Sequence, residues 1–143
     1  MDLDVVSCAC RPRLVVVHPD AHVRALVRHA TPPLLLPLGL ARGSHLLTWL
    51  ASGSGTTRLV VALDPARTPA GPLRERLPRT ISTHLLSISD LRLDEPDPAV
   101  DSTLPRRRLT RTSLARHLRG LGLDGSTCVC PPATVTRPTA VTA

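Results

Sequence analysis

Short apolar runs separated by turn-forming residues dominate the hydrophobic pattern of this chain. The central run covers residues 58–64 (Arg-Leu-Val-Val-Ala-Leu-Asp) and lies between a serine–glycine turn at residues 52–55 and Pro65. A short, continuous apolar run between turn formers is typical of a strand that is buried on both faces of a sheet. Residues 13–17 (Arg-Leu-Val-Val-Val) repeat this pattern and predict a second buried strand.

Helical spacing appears between the apolar runs. Val23, Leu26, Val27 and Ala30 recur on one side of a helix that residues 18–20 (His-Pro-Asp) are predicted to start. Proline suits the first helical position because its fixed backbone angle matches the helix and its missing N–H is not needed there. The apolar stripe of this helix is therefore expected to face a sheet.

The next segments complete the alternation of strands and helices. Ser44 is predicted to cap a second helix over residues 45–51. Residues 34–40 are apolar but contain Pro37, so they predict an edge strand or no strand at all. Residues 81–88 predict a further strand. Strands that alternate with helical patterns favour parallel pairing through crossover connections.

These patterns divide the chain into four parts. Residues 13–89 are predicted to form a small α/β domain with a parallel-sheet core and flanking helices. Residues 90–105 are acidic and contain prolines, which is typical of a linker. Residues 106–123 predict a separate basic amphipathic helix, and residues 131–143 lack periodicity and predict a disordered tail.

The basic helix is the strongest candidate for a binding site. Leu114, Leu118 and Leu121 recur at helical spacing and predict an apolar stripe. Guanidinium groups bind phosphate through a planar fork of donors. The predicted nucleic-acid-binding residues are Arg106, Arg107, Arg108, Arg111, Arg116 and Arg119.

Composition supports a polyanionic partner but also allows a different origin. The 143-residue chain has a formal net charge of +7, and all 18 of its cations are arginine. Its lack of Phe and Tyr argues against a platform that stacks single-stranded bases. However, Asn and Gln are also absent, and most of this composition would follow from GC-rich coding. A reading frame with little evolved function is therefore an alternative hypothesis.

The strand ends carry a resemblance to a known family. His18 and Asp20 follow the first strand, and Asp64 follows the central one. This order resembles a response-regulator receiver domain over roughly residues 13–90. That family holds Mg²⁺ with an acidic pair after the first strand and accepts a phosphoryl group on a later aspartate. The resemblance implies that Asp20 matches one member of the pair and Asp64 the acceptor.

The match to that family is incomplete, because the chain has no lysine to fill the family's conserved lysine role. The alternative function is therefore a degenerate receiver-like regulatory module that binds a protein partner. The competing interpretation, which we favour, gives both carboxylates structural roles. In that interpretation, Asp20 lies in the first turn of a helix and Asp64 opens a turn before proline.

A shorter resemblance concerns residues 109–127. A Leu-Ala pair at residues 114–115, glycines at 120 and 122 and Ser-Thr at 126–127 resemble the first two-thirds of a helix-turn-helix. Pro131 and Pro132 would limit the second helix to about one turn. The interpretation that remains is an amphipathic helix with an arginine face, which contacts phosphates without reading sequence.

Metal and catalytic chemistry find little support in the sequence. Cys8, Cys10, Cys128 and Cys130 form two C-x-C pairs that would surround a zinc ion if the chain ends met, but free thiols are favoured. The histidines beside the first helix's apolar stripe are interpreted as boundary residues. We expect no enzyme activity, metal or cofactor, since no nucleophile–base pair or phosphate-binding glycine motif is recognisable.

The sequence also predicts a location. The first residues, 1–4, are acidic where a secretory signal is basic. The most apolar window, residues 34–50, is short and interrupted by Pro37 and Arg42. We therefore expect a soluble intracellular protein, in the cytoplasm or in the nucleus or nucleoid, that has no membrane partner.

Overall fold

The computed structural model describes residues 11–53, 55–89 and 98–123. Within these residues, five strands form one sheet and four α-helices cover it. The strands are β1 (Arg13–Val17), β2 (Leu38–Leu40), β3 (Arg58–Leu63), β4 (Ser82–Ser87) and β5 (Ser102–Thr103). The helices are α1 (Ala21–Ala30), α2 (Gly43–Ala51), α3 (Ala70–Arg76) and α4 (Arg111–Gly120), with 3₁₀ turns at Pro33–Leu35 and Arg106–Arg108.

The sheet is parallel throughout, in the order β2-β1-β3-β4-β5. The predicted α/β architecture, with a parallel sheet and flanking helices, is confirmed. The strand order is doubly wound, because the chain moves outward from β1 to β2 and then crosses back to β3. In sheets of this kind, ligands bind outside the carboxyl ends of the strands, where the order reverses.

The two central strands are buried on both faces. Residues 14–17 of β1 and 59–63 of β3 are at most 2% exposed. Successive side chains of a strand point to opposite faces, so a strand between two helix layers needs apolar residues at every position. This requirement explains why the apolar runs of β1 and β3 do not alternate with polar residues.

The side chains of the sheet divide into two apolar clusters. The first face of the sheet is covered by α1 and α4, and the second face by α2 and α3. The sheet residues of the first face are Leu14, Val16, Val60, Ala62, Leu86 and Ile88. Those of the second face are Val15, Val17, Leu59, Val61, Leu63 and Leu85.

Helix α1 begins two residues after Pro19, the predicted first helical position, and Leu26 of its predicted buried stripe is 37% exposed. The Asp20 carboxylate is its N-cap and accepts a hydrogen bond from the His22 backbone N–H at 2.8 Å. The helix lies close to the edge strand β2, where a Cβ added to Gly39 would be 3.1 Å from the Arg28 side chain. Glycine at this position therefore allows α1 to pack against β2.

Helix α2 and strand β2 differ in detail from the sequence prediction. The helix begins at Gly43, so Arg42 is at the N-cap position and makes no side-chain cap. Ser44, the predicted cap, lies inside the first turn, and its carbonyl oxygen accepts a hydrogen bond from the Thr48 hydroxyl. The edge strand is confirmed but starts only after Pro37, because proline cannot donate to the ladder.

The basic helix α4 packs on the core rather than standing apart from it. Leu114 and Leu118 are fully buried in the cluster of the first face. An amphipathic helix is stable when its apolar stripe is covered, and the first face offers the surface that α1 leaves open. Leu121, the third leucine of the predicted stripe, follows the helix and is 42% exposed.

The segment predicted as a linker is partly ordered into the sheet. Ser102 and Thr103 form β5, which pairs with the end of β4. The Leu104 backbone N–H continues this pairing by donating to the Ser87 carbonyl oxygen at 2.9 Å. The rest of the predicted linker, residues 90–97, and the predicted tail, residues 131–143, lie outside the described residues.

We expect Leu118→Ala to destabilise the protein by about 2–5 kcal/mol, because it removes a fully buried side chain and leaves a cavity. The control, Leu121→Ala, should change the free energy of unfolding by less than about 0.5 kcal/mol. Urea denaturation followed by circular dichroism measures both. Equal effects would show that α4 does not belong to the core, and a wild type without a cooperative transition would favour the reading-frame hypothesis.

Candidate functional site

The carboxyl ends of β1 and β3 bring a histidine and an aspartate together. Val17 and Leu63 are partners in the parallel register, so the next residues of the two strands are also neighbours. The Nε2 atom of His18 lies 3.9 Å from the Oδ2 atom of Asp64. The sequence indicated that these side chains could meet, and the structure places both at the edge where α/β folds bind ligands.

The surroundings of His18 favour its neutral form. The side chain is buried, and burial lowers its pKa below the ordinary value of 6.5. The carboxylates of Asp64 and Asp20 oppose this shift, whereas the cations Arg67 and Arg106 add to it. The Asp20 backbone N–H donates to Nδ1 at 3.0 Å, so the neutral ring carries its proton on Nε2, which faces Asp64.

Asp64 and Asp20 both hold local backbone structure. Asp64 accepts a hydrogen bond from the Ala66 backbone N–H at 3.0 Å, which fixes the turn after β3. The pKa of Asp20 is lowered chiefly by the hydrogen bond that its carboxylate accepts from the His22 backbone N–H. These contacts are the structural roles that the sequence analysis favoured for both residues.

We expect the pKa of His18 to lie below 6.5 and to fall further in Asp64→Asn, because the substitution removes the carboxylate that opposes the effect of burial. NMR titration of the imidazole resonances measures both values. Glu75→Gln, which removes an exposed carboxylate on α3, is the control and should leave the titration unchanged. A His18 pKa above 6.5, or an equal pKa in Asp64→Asn, would contradict this account.

A second polar cluster lies at the β5 edge of the sheet and joins three elements. His84 of β4 and His117 of α4 both approach Ser102 of β5. Their Nε2 atoms lie 2.6 and 2.9 Å from the Ser102 hydroxyl oxygen. The hydroxyl has one proton, so it donates to one ring and accepts the Nε2–H of the other. Sequence analysis missed this cluster because it did not predict β5.

Burial lowers the pKa of both histidines in this cluster. For His84, Asp101 opposes the shift, while His117 and Arg74 reinforce it. The Asp101 carboxylate itself pairs with the Arg74 guanidinium and accepts the Leu85 backbone N–H at 2.8 Å. The hydrogen bond between His117 and Ser102 therefore attaches α4 to β5 as long as both histidine rings are neutral.

We expect the free energy of unfolding to fall on acidification from pH 7.5 to pH 5, because three histidines have folded-state pKa values below 6.5. A lowered pKa means that the unfolded chain binds the proton more tightly, so stability is full above 6.5 and is lost as the pH falls toward the folded value. Urea denaturation at several pH values measures this dependence.

The variant His117→Gln should lose less stability between pH 7.5 and pH 5 than the wild type, since it removes one of these groups. His45→Gln, at an exposed position on α2, is the matched control. A wild type that becomes more stable on acidification, or a His117→Gln variant with the same loss as the control, would rule out this pH dependence.

Three of the predicted arginines share one surface. Arg111, Arg116 and Arg119 are exposed on α4 and line a shallow depression of about 380 Å³. Arg116 and Arg119 lie away from Leu114 and Leu118 around the helix, so the docking of α4 leaves them exposed. Arg111 lies on the leucine side, contrary to the prediction, and is exposed because it begins the helix. The structure therefore brings together half of the predicted set.

The other three predicted arginines belong to the 3₁₀ turn before α4. Arg107 and Arg108 are exposed there, and the Arg108 carbonyl oxygen accepts a hydrogen bond from the Ser113 hydroxyl. Arg106 is half-buried, and its charge lowers the pKa of His18, so it lies toward the carboxyl edge of the sheet.

Helix α1 extends the arginine surface beyond the predicted residues. The Arg111 guanidinium donates to the His29 carbonyl oxygen at 3.2 Å, which joins the start of α4 to the end of α1. Arg28 and Arg111 line a common groove of about 440 Å³. We call Arg28, Arg111, Arg116 and Arg119 the basic face. Sequence analysis missed Arg28 because only the tertiary structure places α1 beside α4.

In the described ranges, 11–53, 55–89 and 98–123, little supports a metal site or a membrane-spanning helix. There, no group of three or more His, Cys, Asp or Glu side chains is arranged to hold a metal ion. The four cysteines considered for zinc, Cys8, Cys10, Cys128 and Cys130, lie outside these ranges. None of the helices in these ranges is long and apolar enough to cross a bilayer.

Comparisons with known proteins leave the chain without an assigned family. No family model, no curated protein and no solved structure matches it. The resemblance to receiver domains therefore remains a hypothesis based on the order of elements and strand-end residues.

Proposed function

We propose that this protein binds nucleic acid or another polyanion through the basic face. One observation carries the proposal: α4 docks on the sheet by its leucines and directs Arg111, Arg116 and Arg119 to solvent beside α1. Burial of the apolar side fixes the helix, so the three guanidinium groups are presented by a rigid element rather than a flexible segment.

The charge of this face favours phosphate. Neither α1 nor α4 contains an aspartate or glutamate, although together they contain five arginines. Arginine remains charged at every physiological pH and binds phosphate oxygens in pairs. A surface of one sign raises the local concentration of a polyanion and speeds its association.

The spacing of the arginines suits a nucleic-acid backbone. Arg111 and Arg119 are eight positions apart, which is about 12 Å along an α-helix. The face is therefore long enough to contact neighbouring phosphates of one strand. Such contacts give affinity without sequence readout. The proposed partner is double-stranded, because Trp49 is the one aromatic residue in the chain and base stacking has no platform.

A receiver-like regulatory module that binds a protein partner is the second candidate. The doubly wound strand order and the position of Asp64 directly after β3 favour it. The two candidate functions use different surfaces. A protein partner of the receiver-like module would bind at the carboxyl edge of the sheet and contact the loops after β1 and β3. Binding at that edge would not depend on the arginines of α4.

We expect a mixed-sequence DNA duplex to bind with micromolar or weaker affinity, measured by fluorescence anisotropy at several salt concentrations. The logarithm of the binding constant should fall with the logarithm of salt concentration by about 0.9 per phosphate neutralised. The triple variant Arg111→Gln/Arg116→Gln/Arg119→Gln should bind more weakly and flatten this slope by up to about three units.

The matched control, Arg42→Gln/Arg67→Gln/Arg76→Gln, removes the same charge from the carboxyl edge of the sheet, away from the basic face. This control should retain most of the affinity for the duplex and most of the salt dependence if the position of the arginines, rather than the net charge of the protein, determines binding. Thermal melts check that both variants remain folded. No wild-type binding at low salt, or equal losses in the two triple variants, would show that the basic face is not the site.

A further inference from the structure

A groove at the carboxyl edge of the sheet lies outside the basic face. It has a volume of about 500 Å³ and is formed by the segments that follow β1, β2 and β3. Its walls include Pro19 after β1, Arg42 after β2 and Arg67 after β3. The helix after β1 covers the first face, whereas the helices after β2 and β3 cover the second, so the groove opens where the winding reverses.

The polar side of the groove is positively charged. Arg42, Arg67 and Arg76 reach it from three different segments, and its lining contains no aspartate or glutamate. Among the described residues, the ion pairs within 4 Å are His18–Asp64 and Arg74–Asp101, so none involves these arginines. Three exposed guanidinium groups around one groove repel each other, and an anion between them relieves this repulsion.

The backbone adds to the positive electrostatic potential of the groove. Helix α2 has nine residues and begins in the groove wall at Gly43, and the residue at its N-cap position makes no side-chain cap. The first N–H groups of a helix carry a partial positive charge and bind anions when no side chain occupies them. The charge of the backbone therefore has the same sign as that of the arginines.

The other side of the groove is apolar. Leu47 and Leu73 line it together with Pro69 and Pro72. A volume of about 500 Å³ is within the range of about 300–1,000 Å³ that is typical of sites for small molecules. An inorganic ion would leave the leucines and prolines uncovered, whereas a small molecule with a charged end and an apolar body would contact both sides.

We infer that this groove binds a small organic phosphate. The phosphate group lies between Arg42, Arg67 and Arg76, and the apolar body lies against Leu47 and Leu73. Arginine pairs with phosphate by two parallel hydrogen bonds, and three arginines line this one groove. This site is independent of the proposed duplex binding, because it shares no residue with the basic face.

Phenyl phosphate is the probe, because it joins one phosphate group to one small apolar ring. In a ¹H–¹⁵N NMR titration of the full chain, we expect saturable shifts of the backbone amides of Gly43, Ser44 and Thr68. Inorganic phosphate should bind more weakly, since it lacks the apolar body. The variant Arg42→Gln/Arg67→Gln/Arg76→Gln should weaken phenyl phosphate binding by about tenfold or more.

The matched control is the α4 variant Arg111→Gln/Arg116→Gln/Arg119→Gln, which should keep the wild-type affinity for phenyl phosphate. The single variant Arg67→Gln provides a second test with less effect on folding, and it should show an intermediate loss. The two sites are separate if the groove variant weakens only phenyl phosphate binding and the α4 variant weakens only duplex binding. Either proposal can therefore fail while the other stands.

Several outcomes would overturn the inference. One is the absence of saturation up to about 10 mM phenyl phosphate, which would leave no specific site of useful affinity. Equal weakening by the two triple variants would indicate an effect of net charge alone. Shifts confined to α4 would place the ligand on the basic face, and equal binding of inorganic phosphate would exclude an organic ligand.

Discussion

Burial of two neighbouring strands on both faces is the constraint on which this structure depends. Residues 14–17 and 59–63 present apolar side chains alternately to the two faces of the sheet, and water is excluded from both. Each buried residue of this kind stabilises the fold by roughly 1.5–3 kcal/mol relative to exposure. A helix layer on each face is therefore obligatory, and α1 and α4 supply the first while α2 and α3 supply the second.

This constraint also fixes the position and orientation of the basic helix. Leu114 and Leu118 complete the cover of the first face, and their burial holds the opposite, arginine-bearing side outward. Docking of this helix on the α/β core is thus compatible with the proposed binding of a polyanion by its arginines. The same docking brings His117 of α4 within hydrogen-bond distance of Ser102 in β5.

The parallel arrangement also concentrates polar chemistry at one edge. Loops after β1, β2 and β3 leave the sheet at the same side, which places His18 beside Asp64 and three arginines around one groove. Asp20 and Asp64 hold the local turns, and the three arginines of the groove form no ion pair with a described residue. An excess of positive charge is consequently distributed over two separate surfaces, the groove and the basic face.

The sequence by itself determined the elements whose signal is local. Continuous apolar runs specified β1 and β3, and helical spacing of apolar residues specified α1, because burial on both faces of a sheet or on one side of a helix leaves a pattern within a few residues. Tertiary structure decided what depends on contacts between distant segments. Two residues of β5 have no pattern of their own and become a strand only by pairing with β4. The cluster of His84, Ser102 and His117, and the groove of Arg42, Arg67 and Arg76, exist only because chain segments far apart in sequence meet when the sheet forms.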